Sequence, residues 1–462
     1  MGRGSVGHRA WGRNPNLGHA RHLDAPAAGT PNGGVTRDLA HGVPTGADRL
    51  IIALSDIEVG DGGVTDDFPQ SAYVGEVLAP YLEAPYHHLD QDLVLNGDTF
   101  DFLKTAVHGT HPRHIPASVG LAKLEAVAAH HGAFFEALSR FLTSGPGARR
   151  LFFVPGNHDP EILFPEVQAS LRQRLSASDQ IFFPGLEMQL GDVHIEHGSQ
   201  ADGLFRVDPE QPFLVHQGQR ILHIPWGALG LLEVFMPLRE HLYHLDRLRP
   251  REAVFELIPE VRDLLLSRSW TYWTRDYWRD LLVGGDPLKR PTWAMVKEVI
   301  YRFTSTDPEV SMGDHFVRRL EWDYEHKVIV VGHQHVPMVR TYGNRKLLQT
   351  GCFRNEFMLE DDGGRQVPLP RVYAEVFQRK QETLRAQLVE VPAPPMPEGY
   401  VPDSIFDFAP KVRALLSTEA LEDAATAARA ERHDPPPGSL PLALLERWHG
   451  RRSGSLRRLK EG

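Results

Sequence analysis

Five short apolar runs along this chain each end in a cluster of polar side chains. Leu50-Ile51-Ile52-Ala53-Leu54-Ser55 leads into Asp56-Ile57-Glu58, and Leu93-Val94-Leu95-Asn96 into Gly97-Asp98-Thr99-Phe100-Asp101. Leu151-Phe152-Phe153 leads into Val154-Pro155-Gly156-Asn157-His158-Asp159, Val193-His194-Ile195-Glu196 into His197-Gly198, and Val328-Ile329-Val330-Val331 into Gly332-His333-Gln334-His335. Apolar runs this short, bounded by turn residues, read as buried strands. Between them the period changes. Leu121, Leu124, Ala128, Phe135, Leu138 and Leu142 predict an amphipathic helix, stopped by Gly145-Pro146. Further helices are predicted from near Gln70 to about Leu82, with Asp66 and Asp67 as candidate caps, and from Glu161 to about Ser176. Small strands are predicted at Phe182-Phe183 and Leu186 to Leu190, and later ones at Lys346 to Gly351 and Arg371 to Val376. Strands alternating with helices through short connections predict an α/β fold with a mostly parallel sheet.

The stretch between His197 and His333 breaks this rhythm. It is too long for a structureless loop, and its character is helical. Trp226 to Leu238 is strongly apolar, and Ala253 to Trp278 mixes Leu and Ile with Trp270, Tyr272, Trp273 and Tyr277. Residues 204–320 are therefore expected to form a helical insertion, a cap over the strand ends, whose aromatic residues either fill its core or line a pocket. The core is expected over residues 49–203 and 321–385. Residues 1–48, rich in Gly, Arg, Pro, Ala and His without apolar period, predict a disordered arm. Residues 386–462 predict a Pro-rich linker, a helix over Lys411 to His433 and a basic tail holding Arg451, Arg452, Arg457, Arg458 and Lys460.

Composition narrows the function classes. The 462 residues carry a formal net charge of -10, which does not favour a general nucleic-acid binder. The single cysteine, Cys352, excludes an internal disulfide and a cysteine-built zinc site. No apolar run reaches the ~18 residues of a membrane span, and the N-terminus lacks the apolar core of a secretory signal. A cytoplasmic protein is expected, with peripheral membrane contact through the basic tail left open.

Strand ends in α/β sheets gather ligands on one rim, and here five of them bring Asp, Glu, Asp, Asn and three His. That donor set suffices for two metal ions. Its mixture of carboxylate, amide and imidazole suits Mn, Fe or Zn better than Ca. The order of the blocks resembles the calcineurin-like metallophosphoesterase superfamily, whose pattern is D-x-H, G-D-x-x-D, G-N-H-[DE], H and G-H-x-H. Four blocks match, and the first has Glu58 where the family has histidine. The resemblance implies two stacked sheets flanked by helices. It implies one metal held by Asp56, Glu58, Asp98 and His335, and a second held by Asp98, Asn157, His197 and His333. It makes His158 the proton donor to the leaving group, with Asp101, rather than Asp159, orienting its ring. The implied activity is hydrolysis of a phosphomonoester, phosphodiester or pyrophosphate by a metal-activated hydroxide. Glu58 adds negative charge and predicts a manganese preference. The insertion is similar to that of the UDP-2,3-diacylglucosamine pyrophosphatase branch, which implies a phosphorylated small molecule or lipid-linked substrate. Two alternatives stand beside this reading: a nuclease of the same superfamily, and a catalytically inactive metal-binding scaffold. His194 is expected to be structural, and His108, His111 and His114 to lie in an exposed polar loop.

Overall fold

A strand buried on both faces must be apolar at nearly every position, and the first run shows why. In the computed structural model, strand β1 (Arg49–Leu54) turns Ile51 and Ala53 to one side and Leu50, Ile52 and Leu54 to the other, all of them buried. The structure describes residues 42–63, 65–279, 285–289, 308–360 and 365–401, with the isolated positions 410 and 414. The described residues all fall in one compact unit; the other, Met1–Val35, lies outside them.

The strands after β1 are β2 (Asp90–Asn96), β3 (Arg149–Val154), β4 (Ile181–Phe182), β5 (Glu187–Leu190), β6 (Val193–Glu196), β7 (Phe213–His216) and β8 (Gln219–Leu222). Then come β9 (Leu248–Arg249), β10 (Val328–Val331), β11 (Met338–Tyr342), β12 (Arg345–Gln349), β13 (Phe357–Leu359), β14 (Gln366–Pro368), β15 (Arg371–Arg379) and β16 (Glu382–Val391). One sheet has the order β16-β15-β1-β2-β3-β4 and a second the order β11-β12-β10-β6-β5. β1 to β4 are parallel neighbours, as are β6, β10 and β12, while β15, β16, β5 and β11 pair antiparallel.

The two sheets face each other across a shared apolar core. Ile51, Ala53, Val94, Phe152 and Val154 from one meet Val193, Ile195, Val328, Val330 and Leu348 from the other. The outer face of the first sheet is covered by helices α1 (Tyr73–Leu78), α2 (Ala117–His130), α3 (Gly132–Thr143) and α4 (Pro165–Leu175). The outer face of the second is covered by the helix Pro308–Trp322, whose Phe316 and Leu320 pack on Ile329, Val331 and Leu347. This is the helix-flanked, two-sheet sandwich expected above.

Several local expectations change. The helix read from Leu121 to Leu142 is two helices, broken at His131, where the backbone leaves helical angles (φ -113, ψ 43). The His131 ring donates to Asp66 Oδ2 at 2.6 Å, a long-range bond that local periodicity does not reveal. Asp66 and Asp67 do not cap α1, which starts after Ala72 without a side-chain cap. Asp66 instead accepts the N–H groups of Gly62 and Phe68. Residues 42–48, expected in the arm, lie against the first sheet: Asp48 N donates to Gln378 O at 3.0 Å and Arg385 to Gly42 O at 2.6 Å. β16 carries that sheet to Val391, past the expected core boundary at 385. The expected C-terminal helix and basic tail lie outside the described residues.

The expected insertion is mixed rather than all helical. It holds the β7–β8 hairpin, the helices Trp226–Gly230, Arg251–Leu257 and Pro259–Thr271, and β9, which joins β13 and β14 in a third sheet. The helix Pro308–Trp322, placed partly inside the insertion by sequence, is a layer of the sandwich. Trp226, Tyr272 and Tyr277 are buried in the same apolar cluster as α1 to α4, with Trp226 Nε1 donating to Tyr277 Oη at 3.1 Å. These aromatic residues fill a core, while Trp270 is 72% exposed.

Candidate active site

The parallel register puts the ends of β1, β2 and β3 side by side, with Leu54 opposite Leu95 and Asn96 opposite Val154. Beyond these ends the loops stay bonded to one another: Asp56 N donates to Gly97 O at 3.1 Å and Glu58 N to Asp98 O at 2.9 Å. Here the backbone leaves its ordinary regions. Asp56 (φ 53), Glu58 (φ 51), Asp98 (φ 49), His333 (φ 71) and His335 (φ 60) are all left-handed. Each such residue costs on the order of 1–3 kcal/mol, and such strain concentrates at functional sites. Two glycines make the close approach feasible. A Cβ on Gly97 would lie 2.3 Å from the His197 ring, and one on Gly156 2.1 Å from Asp98 Oδ1.

The side chains converge. His197 Nε2 lies 3.1 Å from Asp98 Oδ2, 3.3 Å from Asn157 Oδ1 and 3.9 Å from Asp56 Oδ1. His335 Nε2 lies 3.2 Å from Asp56 Oδ1 and 3.7 Å from Glu58 Oε1. Asp98, His197 and His333 can offer donor atoms within 4.8 Å of one another. His158 N donates to Asp98 Oδ1 at 2.7 Å, and its Nδ1 donates to Asp101 Oδ1 at 3.0 Å. Asp159 has a different task. Its carboxylate accepts the backbone N–H of Gly156, Asp98, Thr99 and Phe100, tying the second and third turns together.

Each candidate ligand histidine has one ring nitrogen already engaged. His197 Nδ1 donates to Asn96 O at 3.0 Å, His335 Nδ1 to Glu356 Oε1 at 2.7 Å, and His333 Nε2 to Asp202 Oδ2 at 3.3 Å. That arrangement fixes the tautomer and aims the other nitrogen's lone pair, as outer partners of metal-binding imidazoles do. Asp202 and Glu356 carried no motif signal, because both act from behind the site.

The electrostatics are dense. Burial opposes charge on His158, but Asp98, Glu58 and Asp101 together push its imidazole up to about 10. Burial likewise opposes His197, which Asp98 and Asp56 push up to about 9. Burial works against ionised Asp98, yet His197 and His158 hold it well below the usual carboxylate range. Glu58 is the centre of a network the sequence did not disclose. Its Oε2 accepts from Arg354 Nη1 at 2.8 Å and Lys104 Nζ at 3.2 Å. Lys104 also reaches Asp67 at 2.6 Å and Asp101 at 3.0 Å, and Arg354 reaches Asp246 at 2.9 Å. Arg247 pairs with Asp67, and Arg249 with Glu356. Lys104, three residues after Asp101, was the one member lying beside a motif.

The remaining histidines stand apart. His194 Nε2 bonds Glu196 Oε1 at 3.0 Å, and its ring packs 5.1 Å from that of His326, so its partners lie outside the convergence. The loop after Asp101 is only partly the exposed one expected. His108 is exposed, but His111 is buried and donates to Lys104 O at 3.1 Å, while His114 bonds Asp286 and stacks on His216 with centroids 4.1 Å apart.

Similar solved chains include a conserved predicted phosphoesterase from Streptococcus pneumoniae TIGR4, at 12% identity over 74% of this chain and 97% of that chain, with a TM-score of 0.22. Phosphopantetheinyl hydrolase from Mycobacterium tuberculosis is 14% identical over 66% and 91%, with a TM-score of 0.24. Vacuolar protein sorting 29 from Cryptosporidium parvum is 11% identical over 75% and 99%, with a TM-score of 0.25. No curated protein sequence matches the chain. Residues 51–337 match the model of one family, a stretch of more than half the chain that holds every cluster from Asp56 to His335. The chain belongs to the calcineurin-like phosphoesterase family.

Proposed function

We propose that this protein hydrolyses a phosphoric ester or anhydride at a site for two divalent ions, with Asp56, Glu58, Asp98 and His335 holding one and Asp98, Asn157, His197 and His333 the other. The observation that carries this reading is the pairing of three imidazoles, each engaged from behind, with carboxylates on strained backbone. The residues fit cations. Among the described residues Asp56 Oδ1 is buried without a hydrogen-bond donor, and it faces Nε2 of both His335 and His197. Two such ions supply charge for the phosphate oxygens and a lowered pKa for water.

The chain's own residues do the rest. Asp98, whose carboxylate lies 3.1 Å from His197 Nε2, would be the ligand common to both ions. His158, with 13% of its side chain exposed, is held by Asp101 through Nδ1, and Asp98, Glu58 and Asp101 keep the ring charged against its burial, so Nε2 also carries a proton, available to the leaving oxygen. The oxygen-rich first position favours manganese or magnesium over ions that prefer nitrogen. The substrate class is a phosphorylated small molecule or a lipid-linked phosphate. A nuclease would need an exposed basic channel at the site, and the cations beside Glu58 and Asp67, namely Lys104, Arg247 and Arg354, are buried in ion pairs.

The test is a metal count together with hydrolysis of bis-p-nitrophenyl phosphate. Two ions per chain and metal-dependent turnover are expected, and Asp98→Asn should lose both together. Two ions bound without turnover on any phosphoester would favour the scaffold reading instead; full activity of Asp98→Asn with both ions retained would remove Asp98 from the bridging position.

A further inference from the structure

Glu58 places a charged side chain next to Asp56 and Asp98, where charge is already crowded. Its two oxygens have different surroundings. Oε2 is bonded to Arg354 Nη1 at 2.8 Å and Lys104 Nζ at 3.2 Å, while Oε1 lies on the side of His335 Nε2, at 3.7 Å. Lys104 and Arg354 are themselves nearly fully buried, at 5% and 2% side-chain exposure. A buried cation is costly unless paired, so their positions are meaningful only with the carboxylates around them. From these contacts we infer that Lys104 and Arg354 are the built-in counter-cations of Glu58. They hold Oε2 and leave Oε1 alone to a divalent ion, so that a carboxylate serves at this position with much of its charge offset.

This inference rests on the reading of Glu58 as a metal-site residue. It has a consequence for the ion: the added charge of Glu58 weakens it as a Lewis acid less than a bare carboxylate would, because two cations within 3.2 Å, shared with Asp67, Asp101 and Asp246, offset part of that charge. It also ties the insertion to the metal site. Asp246 Oδ2 accepts from Arg354 at 2.9 Å and from Lys104 at 3.3 Å, so the same cations are oriented from the segment that carries β9. Lys104 and Arg354 are positioning residues; they act through Glu58.

The experiment is a calorimetric titration of Mn2+ into metal-stripped full-length chain for wild type, Glu58→His, Arg354→Gln and the double variant. Glu58→His alone removes the carboxylate that turns these two cations toward the ion, leaving them to Asp67, Asp101 and Asp246 behind it, with a neutral ring in between. It is expected to weaken one of the two ions about tenfold or more, the other ion being unchanged. Adding Arg354→Gln should restore most of that loss, whereas adding Arg354→Lys, which keeps the charge, should not. A double variant no better than Glu58→His, or a Glu58→His protein that binds like wild type, overturns the inference. If a variant does not fold, the crystal structure of Mn2+-loaded wild type decides: Oε1 on the ion with Oε2 still on Lys104 and Arg354 supports it, and chelation through both oxygens overturns it. Wild type that binds no ion would instead refute the phosphoesterase reading itself.

Discussion

In the proposed mechanism His158 serves proton transfer rather than metal binding. Its backbone N–H anchors Asp98, its Nδ1 is committed to Asp101, and Nε2 is what remains. His158→Ala should lower turnover by about 10²–10⁴, the range for lost general acid catalysis. Metal content should stay at two ions, and the deficit should shrink for substrates with good leaving groups. A uniform deficit across p-nitrophenyl and alkyl esters would mean that the ring does something other than donate a proton. At Asp159 the same scale gives a different answer. Four backbone N–H groups consume its carboxylate, so Asp159→Asn should act on stability before it acts on the pH profile.

At the scale of elements, the site is a set of strand ends bent into left-handed turns. Gly97, with φ 81, is where β2 turns and where the His197 ring packs against bare backbone. Gly97→Ala imposes a positive φ on a residue with a side chain, costing about 1 kcal/mol by itself. It also drives a methyl group into the ring at 2.3 Å. A lower Tm in metal-stripped protein and loss of at least one bound ion are expected. Unchanged Tm and stoichiometry would show that the turn has more room than its geometry allows.

At the scale of the molecule, the segment around β9 is joined to the site by ion pairs. Asp246, Arg247 and Arg249 enter the ion-pair network beside β9, and β9 itself pairs with β13. The network predicts an acid transition. Burial by itself would raise the Asp67 carboxyl, but Lys104, Arg247 and Arg354 hold it at about 2 against an ordinary 3.8. A carboxyl depressed in the fold binds its proton more readily in the unfolded chain. Its contribution, ~2 kcal/mol by linkage, is therefore complete above about pH 4 and lost as pH falls toward 2. Denaturant titrations of metal-stripped wild type and Asp67→Asn should converge across that window, the variant's curve being the flatter. Parallel curves would mean that Asp67 is not ionised in the fold.

What the sequence determined by itself was the course of the core strands and the residues at their ends. Apolar runs such as Leu50–Leu54 specify strands buried on both faces, and a strand's end fixes which residues reach the rim, so Asp56, Asp98, Asn157, His158, His197, His333 and His335 were legible in order. Tertiary structure decided what depends on distant partners. Glu58 and Arg354 stand 296 positions apart, and Glu58 and Lys104 46 apart, so no spacing rule joins them. The break at His131 follows from a bond to Asp66, 65 residues away, that outweighs a continuous helical period. The roles of Asp202 and Glu356 depend on which ring nitrogen each histidine turns outward, and only packing settles that orientation. Spacing is a property of the chain, whereas charge compensation is a property of the fold: it acts through space over a few ångströms, wherever those ångströms lie along the sequence.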